Sequence, residues 1–362
     1  MKKTALVLSG GGAKGAYEIG VWKALEELNI KCDIVTGVSV GSINAALYTQ
    51  GSLKQAEEYW KKLNIEMIFP IKLKTEDNLE VIKKYISSAT TGGLDPSNLK
   101  ENLTKYLDLN KIYNSKIDYG LITVEFPKIK TKELTKSKIP KDKLIDYIIA
   151  SSTLFPVFKI KKIDNSKYID GGFRENIPYN LAKKMGAEKF IIVNISHQKI
   201  PADFHEDENH IYLKPHNDIG APLIFDAKQA TKSINYGYND TMKVFKKLYG
   251  KKYTFKDLPT HYRKDNVLKT INIYLDTLEY LGKAYNIDDS IIYNIDEFNN
   301  IILKSISSKK TTQKIKELTN PKERIEYIYY NIINKKETPL NKDLLKLLNK
   351  EYKSAYYISK II

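Results

Sequence analysis

The chain has one cysteine, Cys32, among 362 residues, so an intrachain disulfide is excluded. The fold must be held by packing and suits a reducing compartment. Arginine is nearly absent, with three among the 59 basic residues, so the planar fork that favours phosphate recognition is missing from most of the surface. Long apolar runs are absent too. Stretches such as Ile145–Ala150 and Phe190–Val193 fall far short of a membrane span, so any membrane contact is expected to be peripheral. Met1-Lys2-Lys3 and then Thr4–Leu8 open like a signal peptide, but the apolar stretch stops at Ser9 and glycines follow. No cleaved secretory signal is expected. Cytoplasmic residence is the default, and secretion without a cleaved signal stays open.

What is abundant is lysine, and the net charge is +16. Lysines scattered among Asn, Ile and Tyr read as a compositional bias and a solvated surface, rather than as a patch built for nucleic acid or anionic lipid. No nucleic-acid partner is expected. The five histidines (His197, His205, His210, His216 and His261) show no metal-ligand spacing, and no stretch resembles an acidic calcium loop. They read as structural or surface residues, and no metal site is indicated.

From Thr4 to about His216, β-rich apolar runs alternate with amphipathic helical stretches, the pattern of an α/β domain with a largely parallel sheet. Expected strands are Thr4–Leu8, Ile34–Val38, Tyr119–Glu125, Lys167–Ile169, Phe190–Ser196 and Ile211–Lys214. Expected helices include Ala16–Leu28, Ser42–Tyr48, Gln55–Lys62 and Pro178–Met185. Past Asn217, helical spacing takes over, broken by a turn signal at Thr338-Pro339. Domains are therefore expected over 1–216 and 217–362. In the last helix Leu344, Leu348, Tyr352 and Tyr356 form one apolar stripe, read as core. Ile65 to Pro96, with Met67-Ile68-Phe69-Pro70 and Thr90-Thr91-Gly92-Gly93, reads as an irregular connection, or else as a flap over a site.

The first strand runs into Ser9-Gly10-Gly11-Gly12-Ala13-Lys14-Gly15 and then a helix, which presents backbone N–H groups to an anion. A P-loop is excluded, because Lys14 is followed by Gly15 and Ala16 rather than Ser or Thr. Gly10, Gly12 and Gly15 satisfy the dinucleotide fingerprint, with Asp33 near the distance of its ribose acid. Asp33, however, precedes its strand, and that strand feeds Gly37-Val38-Ser39-Val40-Gly41, a G-x-S-x-G turn before a helix. This is the context of a nucleophile elbow: Gly37 and Gly41 leave room for a strained serine. Together the motifs point to acyl transfer, with Ser39 attacking a carbonyl and the Gly10–Gly12 loop holding the oxyanion. Asp170-Gly171-Gly172 places a carboxylate at a strand end.

These three motifs, in this order and spacing, resemble the patatin-like phospholipase family. Gly93-Leu94-Asp95-Pro96, Ala150-Ser151-Ser152 to Pro156, and Gly237-Tyr238-Asn239-Asp240 are similar to it as well, so the match spans about the first 240 residues. The resemblance implies a three-layer patatin-like α/β fold with a mostly parallel sheet, followed by a helical C-terminal region. It also implies a cofactor-free lipid acyl hydrolase of phospholipase A type. By resemblance Ser39 is the nucleophile and Asp170 the base of a Ser–Asp dyad, and Gly10 to Gly15 form the oxyanion loop. An aspartate of ordinary pKa is a poor base for a hydroxyl, so burial of Asp170 or stabilisation of the alkoxide is required. Chain order Ser39, Asp170, His197 also matches the α/β-hydrolase triad, and order alone does not decide. A silent lipid- or dinucleotide-binding module is the alternative function. The expected partners are an acyl-ester lipid and a membrane surface, with oligomerisation through the helical region as a further option.

Overall fold

Ala5-Leu6-Val7-Leu8 and Phe190-Ile191-Ile192-Val193 are buried throughout, as strands covered on both faces must be. In the computed structural model, which describes residues 2–69, 78–258, 267–268, 270–306, 315–334 and 342–361, these segments are neighbouring inner strands of an eight-stranded sheet. The elements are β1 (Lys3–Leu8), α1 (Ala16–Glu27), β2 (Ile34–Val38), α2 (Val40–Thr49), α3 (Leu53–Lys62), α4 (Asn78–Thr90), α5 (Ser97–Tyr106), α6 (Leu109–Asn114), β3 (Asp118–Phe126), β4 (Lys130–Thr135), α7 (Leu144–Ser151), β5 (Lys161–Ile163), β6 (Ser166–Asp170), α8 (Tyr179–Lys184), β7 (Ala187–Val193), β8 (His210–Leu213) and α9 (Ala227–Val244). The sheet order is β5-β6-β3-β2-β1-β7-β8, with β4 on β3. The run from β3 to β8 is parallel, and β4, β5 and β6 pair antiparallel.

Alternation along β2 sorts the two covering layers. Ile34 joins the apolar cluster under α8, Thr36 donates its hydroxyl to the Pro178 carbonyl, and Val38 packs on Leu181. Gly37 faces the other way, against the start of α2, and on the same side Tyr119 of β3 donates its hydroxyl to the Ser42 carbonyl. The parallel strands end together at their carboxyl edge, where the loops after β1, β2 and β6 meet, the usual place for a site in an open α/β sheet.

The chain divides into compact units Met1–Thr241 and Met242–Ile362; the boundary expected at 216 precedes α9. The second unit contains β9 (Thr254–Phe255), α10 (Ile271–Ala284), β10 (Ile292–Tyr293), α11 (Ile295–Ser305), α12 (Pro321–Ile333), α13 (Lys342–Leu347) and α14 (Asn349–Ile361). Leu278, Leu281, Phe298, Ile302, Ile325, Ile328 and Ile358 form its core. The expected stripe is split between two helices. Leu348 lies between α13 and α14 and is buried, whereas Leu344, Tyr352 and Tyr356 pack only at the margin of the core. Ala355, Tyr357 and Ile358 take the inner face of α14.

Two other expectations change. The stretch from Ile65 to Pro96 is not irregular throughout, because α4 occupies much of it. Strand β4 was not legible, since Lys-Thr-Lys-Glu-Leu-Thr buries only Leu134 and reads as polar. Pro70, His261 and Thr338-Pro339 lie outside the described residues. Among the described residues no helix is long and apolar enough to cross a membrane.

Candidate active site

Strand β2 ends at Val38, and the chain reverses at Ser39 with φ 54 and ψ −129 before α2 begins. A non-glycine residue there carries local strain, which the surrounding bonds must hold. They do so from both sides. The Ser39 N–H donates to Ser151 Oγ at 3.0 Å, which donates onward to the Ile122 carbonyl at 2.7 Å. The Ser39 carbonyl accepts from the Ser42 hydroxyl at 2.6 Å and the Ser42 N–H at 2.9 Å. Gly37 is a close-approach position: a Cβ there would lie 2.1 Å from the Gly41 carbonyl oxygen and 2.5 Å from the Ser42 nitrogen, both rigid backbone. At Gly41 a Cβ would meet the Leu8 carbonyl oxygen at 2.5 Å. We expect Gly37→Ala to lower unfolding free energy by about 3 kcal/mol, through overpacking with no side chain able to yield. Urea denaturation checks this, and wild-type stability would mean that the elbow has slack.

Asp170 ends β6 and is 5 % exposed. Its backbone N–H donates to the Thr153 carbonyl at 2.8 Å, so residues 151–153 hold the backbones of both Ser39 and Asp170. Its carboxylate accepts from the Gly172 N–H at 2.7 Å. Burial raises its pKa to about 6, although the Ser39 side chain and the Gly172 N–H pull it down. Gly171 packs against the Ile122 carbonyl, and Gly172 lines the cavity beside Asp170.

The glycine loop is used unevenly. Gly10, Gly11 and Gly12 line the cavity with Ser39 and Asp170, whereas Ala13, Lys14 and Gly15 do not. The Gly10 N–H is already bonded to the Asn176 carbonyl, that of Ala13 to Pro222, and that of Lys14 to Gly11. The N–H groups of Gly11 and Gly12 have no partner among the described residues. Gly12 sits at φ +59, where a Cβ would collide with the Pro222 carbonyl, so the turn requires glycine.

The cavity is about 370 Å³, and away from these residues its wall is apolar, with Ile43, Trp60, Leu63, Leu99, Leu154 and Phe158 among its members. Ile68, from the stretch with a possible flap role, also lines it. Trp60 is tied to the glycine loop. Its Nε1 donates to Asn44 Oδ1 at 2.9 Å, and Asn44 Nδ2 donates to the Gly15 carbonyl at 2.9 Å and to Glu18 at 2.8 Å. The indole lies against Gly15, where a Cβ would come within 2.8 Å of it. Glu18 is buried in this cluster, and its burial pushes its pKa well up.

His197 is exposed and makes no hydrogen bond among the described residues, although its neighbours Ser196 and Gln198 line the cavity. His210 pairs with Asp207 at 2.7 Å, and the His216 ring lies 3.3 Å from buried Asp240; neither lines the cavity. Among the described residues no cluster of His, Cys, Asp or Glu could hold a metal. Reading from sequence missed Asn176, which carried no motif signal, and the apolar wall, whose members come from separate elements.

Residues 6–183 match the patatin-like phospholipase family. Patatin-like phospholipase domain-containing protein 6 of Mus musculus is 30% identical over 202 residues, which cover 54% of this chain and 14% of that protein. A lysophospholipase of Phaeosphaeria nodorum is 25% identical over 199 residues, 54% of this chain and 12% of that one. The chain thus matches only about a seventh of the length of these relatives. The crystal structure of VipD from Legionella pneumophila aligns over 99% of this chain and 88% of that one, at 13% identity and a TM-score of 0.45.

Proposed function

Since residues 6–183 match the patatin-like phospholipase family, we propose that this protein is a serine acyl hydrolase of phospholipase A type, acting through a dyad of Ser39 and Asp170. The observation that carries the reading is that Ser39, at a strained strand-to-helix turn, and the buried Asp170 carboxylate, whose pKa the Ser39 side chain lowers, line one apolar cavity together. The fatty-acyl chain of a phospholipid or related ester lies along the wall that includes Ile43, Leu99 and Phe158, and its carbonyl meets Ser39. Ser39 Oγ attacks the carbonyl carbon while its proton passes to Asp170. The oxyanion is held by the N–H groups of Gly11 and Gly12, with the start of α2 adding the positive end of its dipole. The intermediate collapses, the carbon–oxygen ester bond breaks, and the leaving alcohol takes the proton from Asp170. Water then attacks the acyl-serine and gives a proton to Asp170, and as the acyl–Oγ bond breaks Asp170 passes that proton to Ser39 Oγ, releasing the fatty acid and restoring both residues. His197 takes no part, being exposed and unbonded.

The test is a burst of p-nitrophenol from a medium-chain ester, with mass spectrometry of the quenched protein. A stoichiometric burst with an acyl adduct on Ser39, and a His197→Ala variant of wild-type rate, are the expected results. If Ser39 carries no adduct and the protein is inert on phospholipid vesicles, the reading is wrong; an inert His197→Ala would replace the dyad by a triad.

A further inference from the structure

Gly10 is gripped on both sides by one distant residue. Its N–H donates to the Asn176 carbonyl at 3.1 Å, and its carbonyl accepts from Asn176 Nδ2 at 3.1 Å. The Ser9 hydroxyl lies 3.4 Å from the same carbonyl oxygen. Asn176 belongs to the loop that leaves Asp170 for α8, and it lines the cavity. Its amide is seated against two glycines: a Cβ would lie 2.2 Å from Oδ1 at Gly10 and 2.7 Å at Gly172. Which end of the amide faces Gly10 is fixed chemically, because only the NH2 end can face a carbonyl oxygen.

The Gly10 carbonyl and the Gly11 N–H are the two ends of a single peptide plane, and in a trans peptide they point in opposite directions. Holding the carbonyl therefore aims the N–H. Donation to the carbonyl also polarises the peptide and makes its N–H a stronger donor. That N–H is unpartnered at the cavity wall. Glycine peptides flip readily, so the orientation of this plane depends on the groups that hold the Gly10 carbonyl, the Asn176 amide at 3.1 Å and, more weakly, the Ser9 hydroxyl at 3.4 Å.

We propose that Asn176 is the positioning residue of the oxyanion hole: its side-chain amide holds the Gly10–Gly11 peptide so that the Gly11 N–H meets the developing oxyanion. The inference rests on the hydrolase reading above. It links the loop carrying the base to the loop carrying the oxyanion donors, so the two move as one piece.

Asn176→Asp turns the donor into an acceptor opposed to the Gly10 carbonyl, and Asn176→Ala removes it without adding charge. Both keep the main-chain bond between the Gly10 N–H and residue 176, so both are expected to fold, with melting as the control. The expected result is a fall in kcat of about 100-fold, the scale of one lost oxyanion donor, with KM within about threefold. Affinity for a fatty-alkyl trifluoromethyl ketone, which becomes a tetrahedral oxyanion on serine, should fall in parallel, while affinity for the matching fatty alcohol stays constant. A residue that only supported the fold would change melting and leave the ketone-to-alcohol ratio unmoved, which overturns the proposal. Ser39→Ala separates the two levels. If it keeps wild-type turnover, the hydrolase reading falls; if it is dead while both Asn176 variants turn over normally, only the role of Asn176 falls.

Discussion

Ser39→Ala and Ser39→Gly are each expected to lower turnover by about 10⁵–10⁶-fold, the scale seen when a serine nucleophile is removed from a preformed site. They differ in stability. Ser39 is held at φ 54 and ψ −129, a conformation that costs a residue with a Cβ roughly 1–3 kcal/mol and costs glycine little. Alanine keeps that strain and glycine releases it, while both lose the hydroxyl and its interaction with Asp170. The comparison therefore cancels the side-chain contribution and leaves the backbone term. After the greater unfolded-state freedom of glycine, Ser39→Gly should be more stable than Ser39→Ala by about 1 kcal/mol. Esterase assays paired with urea denaturation measure both quantities. Equal stability of the two variants would mean that the elbow is not strained, and residual turnover near wild type would remove Ser39 from the chemistry.

Asp170→Asn should lose about 10²–10⁴-fold in turnover, since the amide cannot take the proton of Ser39, and it should gain stability. The folded carboxyl titrates near 6 because burial opposes its charge, against 3.8 for the ordinary group. A folded pKa above the unfolded one means that the native state prefers the proton: the associated stability is fully present below pH 3.8 and is lost as pH rises through 6. Above that point the ionised aspartate costs the fold roughly 3 kcal/mol. Asparagine never ionises, so at pH 8 the variant should melt higher than wild type, and the difference should shrink to nothing by about pH 4. The same titration governs catalysis with the opposite sign. Only the ionised carboxylate is a base, so kcat/KM should fall tenfold per unit as pH drops below about 6. Melting curves and pH–rate profiles on one pair of proteins test both signs. A variant less stable than wild type at pH 8 would mean that the hydrogen bonds outweigh the burial.

Elements dense in apolar residues were legible. The boundaries of β2 coincide with the apolar run Ile34–Val38, and α1 and α8 end within a residue or two of their expected limits. What sequence could not show was anything defined by encounter. Strand β4 is polar because it lies at the edge of β3 and buries one side chain, so its pairing with β3 defines it and its composition does not. In the candidate site, Ser39, Asp170 and the glycine loop stood out because backbone strain and anion binding restrict residue choice locally. For the loop, the residues point to Gly10–Gly12 and the resemblance to Gly10 to Gly15, and neither separates one donor from the next. Among the described residues Gly11 and Gly12 keep free N–H groups, because Asn176 and Pro222, from elsewhere in the chain, take those of Gly10 and Ala13. Ser151 was legible only as part of a stretch shared with a family, and its grip on Ser39 appears once α7 is folded against β3.

For the acyl hydrolase proposed above, the cluster of Trp60, Asn44, Gly15 and Glu18 limits how the substrate range can change. Leu63, Leu99 and Phe158 shape the cavity without a polar tie to the catalytic loops, so exchanges there can lengthen or shorten the accepted chain one methylene at a time. Trp60 is different, because its indole nitrogen is bonded to the residue that fixes the Gly15 carbonyl. A lineage or an engineer that trims Trp60 to admit a bulkier acyl group loosens the loop that must stabilise the reacting carbonyl. In the proposed hydrolase, breadth gained at Trp60 is therefore coupled to slower turnover, and specificity is free to drift at Leu63, Leu99 and Phe158.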